Sequence, residues 1–240
     1  MKRTLENKIA VVTGGSGAIG SAIIASLEQE GACAVSLDLA RPAKGAAPFG
    51  ACDVRNDSSV ASAIAKVQDT YGRLDLVVHA AGVSREAVVW KLAVEDWDFV
   101  HSVNLRGAFL LLRHAIPVMR TGEGGRIVLI GSINGSRGKF GTSAYSASKA
   151  GLIALARTVA REVARLKILI NVVEPGWVRT PLTDSLPQAV RDAALTESLV
   201  GKYVEPADVA AAVTFLCGPG AQQITGQILR VDGGQSLGSV

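Results

Sequence analysis

The fold of this 240-residue chain is decided by the stretch Ile9-Ala10-Val11-Val12-Thr13-Gly14-Gly15-Ser16-Gly17-Ala18-Ile19-Gly20. Its first four residues form a short apolar run, which is typical of a buried parallel strand. A glycine-rich turn follows, and residues 21–30 then have the composition of a helix. A strand, a glycine-rich turn and a helix N-terminus in this order form a cradle for a pyrophosphate, because main-chain N–H groups and the helix dipole both favour an anion.

A second apolar strand, predicted over residues 32–37, ends at Asp38. This acid follows the glycine turn by about twenty residues, where a carboxylate can accept hydrogen bonds from the ribose hydroxyls of an adenine dinucleotide. A glycine-rich turn alone is a weak signal. With the correct strand, helix and downstream acid, it strongly indicates a dinucleotide-binding unit.

The rest of the chain has the composition of the same class of fold. Hydrophobic residues make up 48% of it, and apolar strands alternate with alanine-rich helical stretches at 58–71, 99–119 and 145–166. This alternation predicts an α/β, single-domain Rossmann fold over residues 1–240, with a doubly wound parallel sheet and helices on both faces. We interpret residues 40–50 as a loop rather than a domain boundary.

Charge, hydropathy and cysteine content argue against several other classes. The net charge of +4 is scattered and aromatic residues are only 5% of the chain, so we expect no nucleic-acid partner. No stretch approaches the roughly twenty apolar residues of a membrane span. Cys33, Cys52 and Cys217 lack metal-ligand or Cys-x-x-Cys spacing, which favours reduced thiols in a cytoplasmic protein and no metal. The histidines form no metal-ligand cluster either, and we interpret His79 as a structural residue beside the cofactor.

Tyr145 and Lys149 lie four residues apart, so on a helix they project from the same face. A tyrosine with a pKa near 10 is a poor base at neutral pH, and a neighbouring ammonium lowers that pKa. A drop of about three units requires roughly 4 kcal/mol, which the ammonium and a cationic oxidised nicotinamide could supply together. Taken alone, the pattern is better explained by a surface Tyr/Lys pair on a helix.

These motifs and their order resemble the short-chain dehydrogenase/reductase family from about residue 7 to Gly234. The glycine turn matches that family's Thr-Gly-x-x-x-Gly-x-Gly except at Ala18. The family's Asn-Asn-Ala-Gly segment stands as His79-Ala80-Ala81-Gly82, a second departure. Asn104 occupies the place of the active-site asparagine, and Ser132 precedes Tyr145 by thirteen residues, the family spacing of the catalytic serine.

The resemblance implies a nicotinamide dinucleotide, which the Asp38 carboxylate predicts to be NAD(H), and a defined set of residues around it. Asp53 and Val54 would contact the adenine, and the loop from Pro175 to Thr180 would hold the nicotinamide carboxamide. The full predicted cofactor set is Gly14, Ser16, Gly17, Ile19, Asp38, Asp53, Val54, Ala80, Ala81, Gly82, Tyr145, Lys149, Pro175, Gly176, Val178 and Thr180.

The resemblance also assigns a catalytic role to four residues. Tyr145 would exchange a proton with the substrate oxygen while hydride moves to or from the nicotinamide. Ser132 would hydrogen-bond that oxygen, and Lys149 would tune Tyr145 and bind the nicotinamide ribose. Asn104 would hold a water that links Lys149 to solvent. The alternatives are a turn serine at the end of a strand and a helical asparagine bonded to the backbone.

The substrate is less defined by the sequence than the chemistry is. We expect a small-molecule secondary alcohol or ketone, in a pocket lined by the loop 182–203 and by Val83, Ser132, Ile133, Asn134, Tyr145 and Trp177. The overall pattern is most similar to reductases of 3-oxoacyl thioesters, linked to coenzyme A or to acyl carrier protein, and these are the alternative substrates. A non-catalytic cofactor-binding regulator is a more distant alternative.

Three positions argue against a carrier-protein substrate. Family reductases of that kind mostly use NADPH, whereas Asp38 favours NAD(H), with Arg41 as a competing partner for a phosphate. Their basic residues for the acidic carrier are replaced here by Glu123 and Leu166, although Arg165 and Lys167 lie beside the latter. Glu174, just before the Pro-Gly turn, is unusual and has no predicted role. The helix predicted over 145–166 is apolar around much of its circumference, which indicates a homotetramer, as is usual in the family.

Overall fold

The computed structural model describes residues 3–41 and 47–238, apart from the side chain of Leu182. The strands are β1 (Ile9–Thr13), β2 (Cys33–Asp38), β3 (Phe49–Ala51), β4 (Leu76–His79), β5 (Gly125–Ile130), β6 (Ile168–Pro175) and β7 (Ile228–Val231). The α-helices are α1 (Ala18–Gln29), α2 (Asp57–Tyr71), α3 (Val94–His101), α4 (Gly107–Met119), α5 (Ile133–Arg137), α6 (Ser143–Val163), α7 (Pro181–Asp184), α8 (Gln188–Thr196) and α9 (Pro206–Cys217).

The seven strands form one parallel sheet in the order β3-β2-β1-β4-β5-β6-β7. The direction of strand addition reverses at β1, which pairs with β2 on one side and β4 on the other. The chain therefore leaves β1 and β4 toward opposite faces, which opens a crevice at their carboxyl ends. The predicted doubly wound Rossmann fold is confirmed.

Alternate residues of each strand enter two separate cores, one on each face of the sheet. Val11 and Val77 belong to the core that includes apolar residues of α2, α4 and α6. Val12 and Val78 belong to the core that includes α1 and α9. Because both faces are covered, the strands are apolar throughout instead of alternating with polar residues.

Two local features differ from the sequence prediction. The loop predicted over 40–50 ends in β3, which pairs with β2 so that Ser36 lies opposite Phe49; residues 42–46 of that loop lie outside the described residues. The helix predicted over 99–119 begins earlier, at Val94, and contains a π-helical turn, Ser102–Arg106, between α3 and α4. Such turns insert one extra residue and are frequent at functional sites.

The remaining predictions concern thiols, metals and membranes. The three cysteines are free, and two of them, Cys52 and Cys217, are buried. Within residues 3–41 and 47–238, no cluster of three or more histidine, cysteine, aspartate or glutamate side chains could hold a metal ion. Over the same described part of the chain, no helix combines the length and apolar character needed to cross a membrane.

Candidate active site

The glycine-rich turn brings β1 and β4 into close contact. Gly14 has φ +67°, and a Cβ atom there would lie 2.6 Å from the main-chain nitrogen of Ala81. A Cβ atom at Gly20 would overlap the carbonyl oxygen of Gly14. Ala18, the departure from the family pattern, is the first residue of α1. Glycine is therefore required where the main chains touch, at positions 14 and 20.

The N-terminus of α1 is left open toward the crevice. Gly17 is its N-cap, and among the described residues no side chain caps this end of the helix. Asp38 lies beside the turn, where its Oδ2 atom accepts a 3.0 Å hydrogen bond from the Ser16 N–H. Its Oδ1 atom accepts a second bond, 2.7 Å long, from the Leu39 N–H. This donor-rich, glycine-lined concavity fits the pyrophosphate of a dinucleotide.

Asp53 and Val54, the residues expected at the adenine, are engaged with other parts of the protein. Asp53 forms a 2.7 Å ion pair with Arg55, whose hydrogen bonds lower the pKa of the Asp53 carboxyl. The Val54 side chain is buried, and a Cβ atom at Gly107 would lie 3.0 Å from it. An adenine contact at position 54 would therefore come from the main chain.

Lys149 is buried at the centre of the catalytic set. Its Nζ atom donates a 2.7 Å hydrogen bond to the carbonyl of Ile130 and lies 5.7 Å from the ring centroid of Tyr145. A Cβ atom at Gly82 would lie 3.3 Å from the same Nζ and 3.6 Å from the Oδ1 atom of Asn104. Lys149, Tyr145, Asn104 and Gly82 thus share one small space at the end of β4.

Asn104 is fully buried within the π-helical turn and joins two segments of the chain. Its Oδ1 atom accepts a 2.8 Å bond from the Val83 N–H, and its Nδ2 atom donates to the Val83 carbonyl and to the Ser148 hydroxyl. Both amide hydrogens are therefore in use. The water expected at Asn104 would have to bind to one of its carbonyl oxygens.

Ser132 caps α5, and its Oγ atom accepts a 3.2 Å hydrogen bond from the Asn134 N–H. Burial raises the pKa of Tyr145, a hydrogen bond with Ser132 opposes that rise, and the negative charge of Glu86 adds to it. Lys149 is not among the groups that shift the pKa of Tyr145 in the chain without a dinucleotide, and the lowering expected with oxidised nicotinamide bound stays a prediction. Burial also lowers the pKa of Lys149, to about 8.

His79, at the end of β4, lies beneath this set. It is fully buried, and its Nδ1 atom is 2.9 Å from the Thr13 hydroxyl. Its ring also interacts with the main chain of Asn104 and Val103, which favours the protonated imidazole without offsetting the burial. Burial, together with the charge of Lys149, lowers the pKa of His79 to about 3. The imidazole is therefore neutral and connects β1 to β4, in agreement with its interpretation as structural.

The Pro-Gly loop continues from the end of β6. The Gly176 N–H donates to the Val231 carbonyl at 2.9 Å, and Val178 forms a parallel bridge with Val204. Thr180, expected at the nicotinamide carboxamide, also caps α7, since its Oγ1 atom accepts a 3.2 Å bond from the Thr183 N–H. The nicotinamide would have to share this hydroxyl with the helix.

The expected substrate wall is only partly open to a ligand. Ile133 is buried in the core and exposes almost no surface, in contrast to its predicted place in the pocket. The Lys139 ammonium lies 5.2 Å from the centroid of the Trp177 ring. A cleft of about 340 Å³ adjoins Ser146, the residue after Tyr145. Trp90 and Phe140, which line it, are 77% and 87% exposed.

Glu174, which had no predicted role, is fully buried at the end of β6. It accepts a 2.7 Å hydrogen bond from the Ser136 hydroxyl of α5 and forms a 3.2 Å ion pair with Arg230 of β7. The carboxylate therefore ties α5, the helix capped by Ser132, to the edge of the sheet. In the sequence, the signal for such a role is the unusual acidic residue directly before the Pro-Gly turn.

The fold and this arrangement of side chains together are those of a dinucleotide-binding oxidoreductase. Residues 15–236 match a family model described as Enoyl-(Acyl carrier protein) reductase. The chain belongs to the short-chain dehydrogenase/reductase family, as its sequence motifs predicted.

Relatives and solved structures are similar over nearly the whole chain. The chain is 35% identical to the 3-oxoacyl-[acyl-carrier-protein] reductase FabG of Thermotoga maritima, over 96% of this chain and 98% of that one. It is 37% identical to the acetoacetyl-CoA reductase of a Synechocystis species, over 95% and 96%. The ligand-free aldohexose dehydrogenase of Thermoplasma acidophilum has a similar structure, with a TM-score of 0.91, 30% identity and coverage of 97% and 95%.

Proposed function

We propose that this protein interconverts a ketone and a secondary alcohol with NAD(H), and that the ketone is the 3-oxo group of an acyl thioester. The observation that carries the chemistry is the buried Lys149 ammonium, which lies between Gly82, Asn104 and the ring of Tyr145. A buried cation beside a phenol at the mouth of a dinucleotide crevice suits proton exchange with a substrate oxygen. The thioester is suggested by the two reductases to which the chain is 35% and 37% identical.

In this mechanism the protein handles the proton and the developing charge. When bound, the nicotinamide supplies hydride to the carbonyl carbon or accepts it from the alcohol. The Tyr145 hydroxyl donates its proton to the carbonyl oxygen during reduction and recovers a proton during oxidation. The Ser132 hydroxyl donates a hydrogen bond to the same oxygen as negative charge develops on it. Lys149 holds positive charge near the phenol, which favours the phenolate.

The preference for NAD(H) is supported by the charges beside the glycine-rich turn. The Asp38 carboxylate bonds to the turn through the Ser16 N–H, where the 2′-phosphate of NADP(H) would approach it. Two like charges about 4 Å apart repel by up to roughly 4 kcal/mol at an effective dielectric constant of 20. The competing cation, Arg41, has its guanidinium carbon 5.3 Å from the ring centroid of Phe49.

Among thioesters, we propose a coenzyme A thioester over a carrier-linked one. Glu123 is exposed and Leu166 is 38% exposed, at the two positions where the family's carrier-dependent reductases have basic residues. An acidic carrier protein would therefore meet a carboxylate at position 123 and an apolar side chain at position 166, with the exposed Arg165 and Lys167 beside the latter. A ketone or alcohol without a thioester is the second candidate, favoured by the structural similarity to an aldohexose dehydrogenase.

Steady-state assays with NADH test the proposal on three matched substrates. They are acetoacetyl-CoA, the same acyl group on a carrier protein, and a simple 3-oxo ester of similar length. We expect the highest kcat/KM with the coenzyme A thioester. A higher kcat/KM with the simple ester would favour the second candidate. Cofactor binding without turnover of any ketone or alcohol would favour a regulator.

We also propose that the chain forms a homotetramer. A cleft of about 430 Å³ lies between the end of α3, the start of α4 and the middle of α6, and its lining includes Leu105, Phe109 and Leu155. Phe109 is 47% exposed there. A second copy that packs α4 and α6 against this face would cover an aromatic side chain that water otherwise contacts. The expected location in the cytoplasm stays a prediction.

A further inference from the structure

Gln235 lies outside every predicted site, yet its side chain contacts the Pro-Gly loop. It is 4% exposed and begins a 3₁₀ turn after Gly234, which has φ +82°. Its Oε1 atom accepts a 2.8 Å hydrogen bond from the Trp177 N–H. A Cβ atom at Gly176 would lie 2.6 Å from the same oxygen. Glycine at 176 therefore gives the amide room to reach the loop.

The other end of the Gln235 amide reaches the loop expected to cover the substrate. Its Nε2 atom donates a 2.9 Å hydrogen bond to the Oε2 atom of Glu197, just after α8. The following residues rest on the same C-terminal turn, since the Val200 N–H donates to the Gly233 carbonyl at 3.2 Å. The amide thus spans from the nicotinamide loop to the substrate loop.

Arg137 connects Gln235 and Glu197 to α5. It is the last residue of α5, whose N-cap is Ser132. One guanidinium nitrogen donates to the same Glu197 Oε2 atom at 2.8 Å, and another donates to the main-chain carbonyl of Gln235 at 3.0 Å. The Glu197 carboxylate therefore accepts one hydrogen bond from Arg137, at the end of α5, and one from the Gln235 amide. The same amide accepts a bond from the Trp177 N–H.

We propose that Gln235 is a positioning residue that, with Glu197 and Arg137, sets the placement of the nicotinamide loop and closes the substrate loop against α5. This inference rests on the proposed function, which assigns the two loops to the nicotinamide and to the substrate. The role of Gln235 is tested by cofactor binding and by proteolysis, without a measurement of turnover. The three side chains come from segments far apart in sequence. The fold brings them together where the Pro-Gly loop, the segment after α8 and the end of α5 meet.

The first experiment measures dinucleotide binding, by titration of NADH fluorescence, in the variant Gln235→Met. Methionine keeps the length of the side chain but can neither accept from Trp177 nor donate to Glu197. We expect the dissociation constant of NADH to rise about fivefold to tenfold. The exposed Gln222, changed to Met, is the matched control and should leave the constant within about twofold.

The second experiment exchanges the two side chains. Gln235→Glu alone places two carboxylates together and should weaken NADH binding as the methionine variant does. In the double variant Gln235→Glu/Glu197→Gln, the carboxylate at 235 can accept from Trp177, and the amide at 197 can donate to it and accept from Arg137. We expect binding within about twofold of the wild type. A double variant as weak as Gln235→Glu would overturn the proposed pairing.

The third experiment follows the substrate loop directly, with no cofactor present. Trypsin can cut after Lys202, which is exposed just beyond the Glu197 anchor. We expect cleavage there to be several times faster in Glu197→Ala and in Gln235→Met than in the wild type and in Gln222→Met. Unchanged cleavage and unchanged NADH binding together would refute the proposal. A wild-type chain that binds neither NADH nor NADPH would contradict the proposed function, while the cleavage rates would still decide the role of Gln235.

Discussion

Lys149 of α6 donates a 2.7 Å hydrogen bond to the main-chain carbonyl of Ile130, the last residue of β5. This bond joins the helix that carries Tyr145 to the strand that leads into Ser132. The ammonium is 4% exposed, and its burial lowers the pKa of Lys149 to about 8. The active site therefore keeps a cation in a place that disfavours its charge.

Lys149→Met should consequently stabilise the protein at neutral pH. Below about pH 8 the lysine is protonated in the folded and unfolded states, so the cost of its burial is fully present. Between about 8 and 10.5 the folded state loses its proton first, and wild-type stability from this group rises with pH. We expect the variant to gain about 2 kcal/mol at pH 7, after the lost hydrogen bond is subtracted. Urea unfolding at several pH values measures the gain, which should shrink above pH 8.

The matched control for this prediction is Lys66→Met, on the exposed surface of α2. It should change the free energy of unfolding by less than about 0.5 kcal/mol, both at pH 7 and above pH 8. A loss of stability in Lys149→Met at pH 7 would show that the bond to Ile130 outweighs the burial of the charge.

Gly82→Ala should disturb the catalytic set while the fold is kept. The added Cβ would lie 3.3 Å from the Lys149 Nζ atom, so the ammonium would have to move by a few tenths of an ångström. We expect kcat to fall about tenfold, since small displacements of a catalytic group are costly. Gly122→Ala is the control, because its Cβ would lie at an ordinary 3.6 Å from the Met119 carbonyl. Equal activity in both variants would mean that Lys149 tolerates the shift.

Tyr145→Phe removes the hydroxyl that we propose exchanges a proton with the substrate. We expect kcat to fall by a factor of about 10² to 10⁴, with little change in NADH affinity. Steady-state kinetics and a fluorescence titration measure the two quantities separately. Turnover close to that of the wild type would remove Tyr145 from the mechanism.

Asp38→Ser should reduce the preference of the enzyme for NADH over NADPH. The wild type should have the higher kcat/KM with NADH, because the carboxylate beside Ser16 repels a 2′-phosphate. The serine variant lacks that charge and should use NADPH better than the wild type does. The ratio of kcat/KM values for NADH and NADPH is the measurement. A wild-type preference for NADPH would assign control of the site to Arg41.

The assembly prediction concerns the face that includes Phe109. A tetramer of this 24.9 kDa chain should scatter light with about four times the monomer mass at micromolar concentration. Phe109→Asp should lower that mass, because a buried carboxylate at an interface would be unpaired. The monomer mass for the wild type would contradict the proposed tetramer.

Features that depend on local pattern could be predicted from the sequence. The apolar run of β1, the glycine-rich turn and the acid at 38 lie within thirty residues of one another, so their order alone indicates the fold. The four catalytic positions are assigned by the resemblance to the family, and their roles stay a prediction. The requirement for glycine at 14 and 20, with alanine accepted at 18, becomes clear only from the main-chain contact between the turn and β4.

Features that depend on contacts between distant segments could not be predicted. The π-helical turn arises where the Asn104 side chain bonds to Val83, 21 residues earlier, and no periodic pattern records that bond. The three residues of β3 are too few to show an alternation, and their pairing is with β2. Burial raises the pKa of Tyr145 in the chain without a dinucleotide, and helical spacing reports the lysine neighbour but not this burial, so the lowering expected with oxidised nicotinamide bound stays a prediction.

The pairing of Glu174 with Arg230 has a consequence for how substitutions in this protein should be interpreted. Arg230 lies on β7, the last strand of the sheet, and its side chain is 44% exposed, so by exposure alone it would be classed as a tolerant surface position. Its partner, however, is a fully buried carboxylate bonded to the helix that Ser132 caps. Position 230 is thus more constrained than its exposure indicates, because a substitution there would leave the buried Glu174 carboxylate without its ion pair, next to the helix that Ser132 caps.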